Sequence, residues 1–253
     1  MRIDINADVG ESFGAYTLGH DARLIPSITS ANVAAGFHAG DPSVLRQTIR
    51  LARSHGVAVG AHPGFPDLVG FGRRDLSVTP GEAEDLVLYQ IAAVAGVAAA
   101  EGLALQHVKP HGALFNMAMQ NAVLAAAIVR AVAAFDRSLI LFGLPGSAML
   151  AAAREAGVRV AAEVFADRAY EPDGSLRSRR KPGAVIHDEA LVVSRAVRMV
   201  TQRSVEATDG TIVPLDADTI CVHGDTPGAD VLAAKLRSAL DAAGVTVKPV
   251  GLP

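Results

Sequence analysis

The 253-residue sequence carries 23 basic and 26 acidic side chains without a long run of like charge, so a nucleic-acid partner is not favoured. Half of the residues are apolar but only 4% are aromatic, which suits helices packed on a parallel sheet better than an aromatic-rich β sandwich. The single cysteine, Cys221, excludes an internal disulfide and a zinc-finger or iron–sulfur framework.

Short β-rich segments alternate with longer helical patterns along the whole chain, which is typical of βα units around a parallel sheet. The strand-like segments are residues 2–6, 28–34, 57–61, 105–109, 138–142, 158–164 and 218–222, with a possible eighth at 246–250. Barrels of about 250 residues form one domain. The pattern therefore predicts a single β/α barrel domain over residues 1–253.

The helices between these strands have clear end signals. Asp41, followed by proline, predicts the start of a helix that ends at Gly56. Thr79 with Glu82 three residues later predicts a capping box for a long helix that ends at Gly102.

Two segments interrupt the alternation. Residues 165–183 form a polar stretch too long for an ordinary connection, which predicts a lid or a surface segment. Residues 204–217 contain Asp209-Gly210 and predict an inserted β hairpin.

The chain start has no apolar core behind a basic stretch, as a secretory signal would. The longest uncharged apolar segment, residues 86–100, is shorter than the roughly 20 residues needed to cross a bilayer. We therefore expect a cytoplasmic protein.

Polar residues follow six of the predicted strands, and at five of these strand ends they lie beside glycine. They occur in the segments NADVGE, GFHAGD, GAHPG, KPHG, ADR and HGD, which contain Asp8, His38, His62, Lys109, His111, Asp167, Arg168, His223 and Asp225. In a β/α barrel the carboxyl ends of all strands open on one face, so residues far apart in sequence converge there. Each of these residues alone is more often a cap or a loop hydrogen bond, but together they predict an active site.

Asp8 and Lys109 are the first candidates for catalysis. Asp8 could act as general base or hold the attacking water, with Asn6 and Glu11 as orienting groups that contact substrate; loop capping is the alternative. Lys109 ends an apolar strand, where desolvation could lower its pKa and its charge could stabilise an oxyanion. A salt bridge to a barrel carboxylate is the alternative for Lys109.

Four histidines fall at these strand ends, and their residue type suits either acid–base work or a divalent metal. We expect His62 and His111 to be catalytic, and His38 and His223 to contact substrate. A metal, if present, would bind His38, His62 and His111, although no HxxxH or CxxC spacing supports one.

Positive charge near the same face suggests recognition of an anionic substrate. Arg73 and Arg74 could clamp a carboxylate, or could serve only surface solubility. Arg168, Asp167 and Asp225 are expected to contact the substrate as well. A basic group in the long loop, comprising Arg177, Arg179, Arg180 and Lys181, could close over the mouth or only solvate the loop.

Six segments spread over nearly the whole chain carry a recognisable pattern: INADVGESFG, ANVAAGFHAGDP, GAHPGFPDLVGFGRR, VKPHGALFN, EVFADRAY and CVHGDTPGA. In this order they closely resemble the family of the 5-oxoprolinase A subunit, also called the LamB/YcsF family. The resemblance implies a distorted seven-stranded β/α barrel of the glycoside hydrolase/deacetylase superfamily type.

The resemblance also implies an activity, namely ATP-dependent opening of 5-oxo-L-proline to L-glutamate together with separate B and C subunits. The sequence has no GxxxxGK[ST] loop and no strand–GxGxxG–helix fingerprint, so ATP is expected to act through the complex.

Two positions depart from the patterns of relatives. Ala35 stands where family members commonly have cysteine, which disfavours a thiol nucleophile there. Asp8 is followed by Val9 rather than by a second acid as in metal-dependent sugar deacetylases. The alternative hypotheses are a metal-dependent carbohydrate or amide deacetylase and a non-catalytic subunit that binds the lactam.

Overall fold

A computed structural model describes residues 1–178 and 181–251. The strands are β1 (Arg2–Val9), β2 (Ser30–Ala34), β3 (Ala58–His62), β4 (Leu105–Val108), β5 (Ile140–Gly143), β6 (Arg159–Phe165), β7 (Ser204–Glu206), β8 (Ile212–Pro214), β9 (Thr219–Val222) and β10 (Thr246–Val247). The helices are α1 (Asp21–Leu24), α2 (Pro42–Ser54), α3 (Pro80–Ala100), α4 (Gly112–Ala118), α5 (Ala122–Phe135), α6 (Ala148–Glu155), α7 (Glu189–Thr201) and α8 (Ala229–Ala242), and a 3-10 turn spans Ile25–Ser27.

Seven parallel strands form a closed ring in the order β1-β2-β3-β4-β5-β6-β9, and β9 pairs back with β1. This confirms the predicted distorted seven-stranded barrel. The eighth strand-like segment is the short β10, which pairs with Arg2 and Ile3 at the start of β1 and lies outside the ring.

Two structured excursions leave the barrel. β7 and β8 form an antiparallel pair, and Gly210 between them has a positive φ of 88°. After β6 the chain makes isolated bridges from Arg168 to Val185 and from Tyr170 to Leu176, and the Tyr170 side chain is fully buried. This segment is therefore anchored to the barrel. Arg179 and Arg180 lie outside the described residues.

Helix α3 has the 21-residue length and the apolar composition that would let it cross a bilayer. It is longer than the uncharged segment counted in the sequence because its first turn includes charged residues and begins at the Thr79 capping box. Val87, Ile91 and Val94 are fully buried, and the helix packs against β3, β4 and α5. In this fold α3 is thus part of the outer helical layer.

The interior of the barrel is polar. Along β1 the apolar residues alternate with Asp4, Asn6 and Asp8, and successive side chains of a strand point to opposite faces. Asn6 donates to Thr219 on β9, and Asn32 on β2 donates to Asn6, so these side chains meet inside the ring. The apolar residues of the strands instead face the helices.

Asp4 lies at the bottom of this interior and accepts hydrogen bonds from the hydroxyls of Thr29, Ser30 and Thr219. Burial raises its pKa from 3.8 to about 6. Between these values the folded chain holds a proton that the unfolded chain has lost, so this contribution to stability is complete below about pH 4 and is lost as the pH rises through about 6.

Asp4→Asn should remove this titration. The free energy of unfolding of the wild type, minus that of the variant, should fall by roughly 3 kcal/mol between about pH 4 and pH 7. Urea unfolding at a series of pH values measures the difference. A difference that does not change with pH would show that Asp4 is not perturbed.

Gly60 on β3 makes room for an imidazole inside the ring. A Cβ atom at this position would lie 2.1 Å from His107 Nε2, and the His107 ring is stacked on Phe142 with centroids 4.3 Å apart. The ring therefore has little room to move.

Gly60→Ala should consequently destabilise the protein by about 1–3 kcal/mol through overpacking. Gly96→Ala is the matched control, because a Cβ there meets no atom within 4 Å and alanine is the better helix former, so it should stabilise by roughly 0.5–1 kcal/mol. Thermal and urea unfolding of the two variants test these opposite signs, and equal stabilities would contradict the packing argument.

Candidate active site

The carboxyl ends of the barrel strands meet at a cleft of about 520 Å³ that is open to solvent. The lining residues are Asp8, His62, Arg73, Lys109, Pro110, His111, Gly112, Phe115, Asn116, Phe165, Arg168, Leu176 and His223. The structure therefore brings the strand-end residues Asp8, His62, Lys109, His111, Arg168 and His223 to one pocket.

Asp8 and Lys109 form a buried ion pair at the base of the cleft. Lys109 Nζ lies 2.7 Å from Asp8 Oδ1 and 3.1 Å from Glu163 Oε1. It also lies 3.0 Å from Cys221 Sγ and 3.4 Å from Asn6 Oδ1. A single ammonium group is thus held by polar atoms from three other strands.

The charge state of this pair follows from its neighbours. Burial alone would lower the pKa of Lys109, but the charges of Asp8, Cys221 and Glu163 outweigh burial and raise it well above the ordinary value. Likewise, burial alone would raise the pKa of Asp8, but His62 and Lys109 hold it well below its usual range. The expectation of a lowered Lys109 pKa is therefore wrong, because desolvation comes with carboxylate partners. An ionised Asp8 of low basicity suits holding a water molecule better than removing its proton.

Several polar groups at the bottom of the cleft were not singled out in the sequence as candidate site residues. Asn32 donates to Asp8 Oδ1 at 2.9 Å, and its carbonyl oxygen lies 2.8 Å from His107 Nε2. Asn6, expected to contact substrate, is fully buried one layer below and fixes Asn32 and Lys109 instead. Glu163 could have been found, since it is the only charged residue in the apolar run VAAEVF.

Four further groups form a buried cluster beside Asp8, at the carboxyl ends of four consecutive strands. His62 Nε2 lies 2.9 Å from His111 Nδ1 and 3.4 Å from Asp8 Oδ2. Glu11 Oε1 lies 3.7 Å from His38 Nε2 and 3.9 Å from His111 Nδ1. The rings of His38 and His111 are stacked with centroids 3.8 Å apart. Glu11 and His38, expected to contact substrate, are nearly inaccessible and do not line the cleft.

Burial dominates the pKa values in this cluster. Burial raises the pKa of Glu11 well above its usual range, with further contributions from Asp8 and Asp225. Burial also lowers the pKa of His38 and His111 well below the usual range, so both rings are neutral.

His223 faces the Asp8–Lys109 pair from the opposite wall of the cleft. Its Nδ1 lies 2.9 Å from Asp167 Oδ2, and its ring stacks on Phe165 with centroids 5.6 Å apart. Donor atoms of His223, Asp8 and Cys221 all lie within 4.8 Å of one another. The carboxylate of Asp167 fixes the orientation of the imidazole.

Two arginines contribute positive charge to the cleft. Arg73 pairs with Asp225 at 2.7 Å and lies over the Phe71 ring, and it remains partly exposed at the rim. Arg168 lines the cleft and donates to the carbonyl oxygens of Ala184 and Arg177 in the long segment after β6.

The same segment also contributes Leu176 to the cleft wall. Two of its cations do not reach the mouth, because Arg177 and Lys181 both pair with Glu171 at 3.2 and 3.3 Å. Arg179 and Arg180, the other members of that basic group, cannot be placed because they fall outside the described part of the chain. Over the residues described, the segment covers the cleft through Arg168 and Leu176.

The closed parallel ring and the polar mouth at its carboxyl end define a seven-stranded β/α barrel. A family 4 carbohydrate esterase from Streptomyces lividans has the same fold, with a TM-score of 0.52 and 11% identity over 99% of this chain and 93% of the esterase. Such low identity relates the folds alone.

The chain belongs to the LamB/YcsF family, whose model matches residues 3–252. It is 56% identical over 248 residues to the 5-oxoprolinase A subunit of Chloroflexus aggregans, and the match covers 98% of both chains. It is 54% identical over 247 residues to the protein of the same name from Tolumonas auensis, again over 98% of both chains. The crystal structure of a lactam utilization protein from Thermus thermophilus superposes with a TM-score of 0.94 at 50% identity, over 98% of this chain and 99% of that one.

Proposed function

We propose that this chain is the A subunit of a 5-oxoprolinase and, with the B and C subunits, hydrolyses 5-oxo-L-proline to L-glutamate at the expense of ATP in the cytoplasm. The name shared by relatives more than 50% identical over nearly the full length supports this assignment. The name of the Thermus relative, a lactam utilization protein, is consistent with a cyclic amide as substrate.

The observation that carries the proposal is the buried Asp8–Lys109 pair facing His223 across a small cleft. An ionised carboxylate, a fixed ammonium group and an imidazole then surround one point. Opening an amide ring needs an oriented water, a positive charge near the carbonyl oxygen and a proton for the departing nitrogen. The two arginines add positive charge that suits the carboxylate of 5-oxoproline.

The chemistry explains the need for ATP. A five-membered lactam is a poor electrophile, and phosphorylation of its amide oxygen, which we assign to the partner subunits, activates the carbonyl carbon. Water held by Asp8 then adds to this carbon, the C=N electron pair moves to the ring nitrogen and that nitrogen takes one proton of the water, while Lys109 offsets the negative charge of the phosphoryl group. Next, the C–N bond breaks as the nitrogen takes a second proton from His223 and the new hydroxyl releases its proton to solvent, which leaves an acyl phosphate. A second water then releases phosphate from this acyl phosphate.

Reconstitution tests this assignment. The purified chain is mixed with the B and C subunits, 5-oxoproline and ATP, and both glutamate and ADP are measured. We expect glutamate only when all three proteins are present. Absence of glutamate from every combination would refute the proposal, and release of acetate from acetylated sugars by this chain alone would favour a deacetylase.

A further inference from the structure

The hydrogen bonds of His62 and His111 fix where their protons lie. His62 Nδ1 is 2.7 Å from the carbonyl oxygen of Lys109, and His111 Nε2 is 2.8 Å from the carbonyl oxygen of Phe71. A carbonyl oxygen only accepts, so both of these ring nitrogens carry a proton. Without a further proton or a metal ion, the two remaining nitrogens, His62 Nε2 and His111 Nδ1, would present lone pairs to each other at 2.9 Å. Two facing lone pairs repel unless a cation lies against them.

Two further donors converge on the same point. Glu11 Oε1 and both ring nitrogens of His38 have no hydrogen-bond partner in the described part of the chain, although both side chains are at least 94% buried. One atom from each of the four residues lies within 4.8 Å of the other three. Buried polar atoms without partners are costly and rare, so their clustering calls for a ligand.

A proton shared by His62 and His111 would satisfy only those two nitrogens and would leave Glu11 and His38 unpaired. A metal ion satisfies all four groups at once. We propose that Glu11, His38, His62 and His111 bind one divalent transition-metal ion, with Zn²⁺ as the preferred occupant.

The geometry suits this ion. Bonds of about 2.0–2.1 Å in a tetrahedral shell place the ligand atoms roughly 3.3–3.4 Å apart. Three of the six separations are 2.9, 3.7 and 3.9 Å, which bracket that value, and all six lie within 4.8 Å. Three imidazoles and one carboxylate are ligands that Zn²⁺ accepts, and the backbone carbonyls behind His62 and His111 match the outer-shell partners of metal-bound histidines.

The ligands come from four different strand ends. Glu11 follows β1, His38 follows β2, His62 ends β3 and His111 follows β4. The ion would therefore tie four neighbouring loops of the barrel mouth together, beside Asp8. Because each ligand follows a separate strand, the HxxxH spacing of a helical site is not required.

Glycines make room for this arrangement. A Cβ atom on Gly64 would lie 2.5 Å from His38 Nδ1, and one on Gly72 would lie 2.9 Å from His111 Cδ2. The glycines around these histidines therefore serve close packing of the imidazole rings.

Metal analysis of the purified full-length chain is the first test. We expect about one equivalent of metal per chain. After removal of metal with a chelator, Zn²⁺ at about 100 times its dissociation constant should raise the Tm by roughly 5–10 °C. Co²⁺ should restore binding with the visible absorption of a four-coordinate site. Failure of both ions to bind the stripped protein would overturn the proposal, and none of these measurements depends on ring-opening activity.

Variants locate the ion. Glu11→Gln and His38→Gln should each weaken Zn²⁺ binding by at least about 10–100-fold, the loss found for outer-shell partners alone. His55→Asn, at an exposed histidine, is the control and should bind Zn²⁺ like the wild type. Cys221→Ser probes the other group of donors, formed by Asp8, Cys221 and His223. Loss of the ion in Cys221→Ser but not in His38→Gln would refute the assigned ligands.

Discussion

Lys109→Met is expected to lower the free energy of unfolding by about 3–5 kcal/mol, the usual result of removing one partner of a buried ion pair. The ammonium group of Lys109 is the only cation within 4.0 Å of either Asp8 or Glu163, apart from His62, among the residues described. Methionine has a similar length but no charge. Its introduction would leave two carboxyl groups buried without their counter-ion, and a large part of the stability of the barrel mouth would be lost.

Urea unfolding of Lys109→Met and of a matched control measures this effect. Lys235→Met removes a lysine that also pairs with a carboxylate, Glu189, but both side chains of that pair are about half exposed. Exposed pairs contribute little, so the control should unfold close to the wild type. Equal stability of Lys109→Met and Lys235→Met would show that the buried pair does not hold the mouth together.

Much of the fold follows from local signals in the sequence. The seven strand segments are short, β-rich and separated by capped helices, and the Thr79 capping box forms as predicted. Closure of the ring is a long-range property, because β9 pairs with β1 across more than 200 residues. The alternation of strands and helices predicted a barrel with seven strand segments and a possible eighth, and the resemblance to a known family added that the ring closes with seven.

The rim of the candidate site could be predicted, but its interior could not. Residues after strand ends stand out because glycine surrounds them. By contrast, Asn32 and Glu163 lie within strands, where the alternation of polar and apolar residues shows that they face the barrel interior but not what they contact. The partners of Lys109 had to be known before the direction of its pKa shift could be predicted.

The individual histidines illustrate the same limit. All four at the strand ends carry the same sequence signal, yet the structure divides them between two groups. His38, His62 and His111 meet Glu11, whereas His223 crosses the cleft and meets Asp167. Only the three-dimensional arrangement separates a set of convergent ring nitrogens from an imidazole held by a carboxylate.

His223→Asn is expected to reduce the rate of glutamate formation by the reconstituted complex by about 10²–10⁴-fold, the usual contribution of a general acid. The lactam nitrogen is a poor leaving group until it is protonated. Loss of the acid should therefore affect turnover more than substrate binding. Asparagine keeps a polar group of similar size beside Asp167 and cannot transfer a proton at neutral pH. The KM for 5-oxoproline should therefore change much less than kcat.

Asp167→Asn provides the matched comparison, because it preserves the shape beside His223 and removes only the carboxylate that orients the imidazole. We expect a smaller loss of kcat than in His223→Asn, since the acid itself remains. Both variants should assemble with the B and C subunits and unfold at the wild-type temperature, because the His223–Asp167 pair is partly accessible at the wall of the cleft. If His223→Asn instead turns over normally and only raises the KM, His223 binds the lactam without donating the proton. In that case the proton for the departing nitrogen must come from another group of the complex.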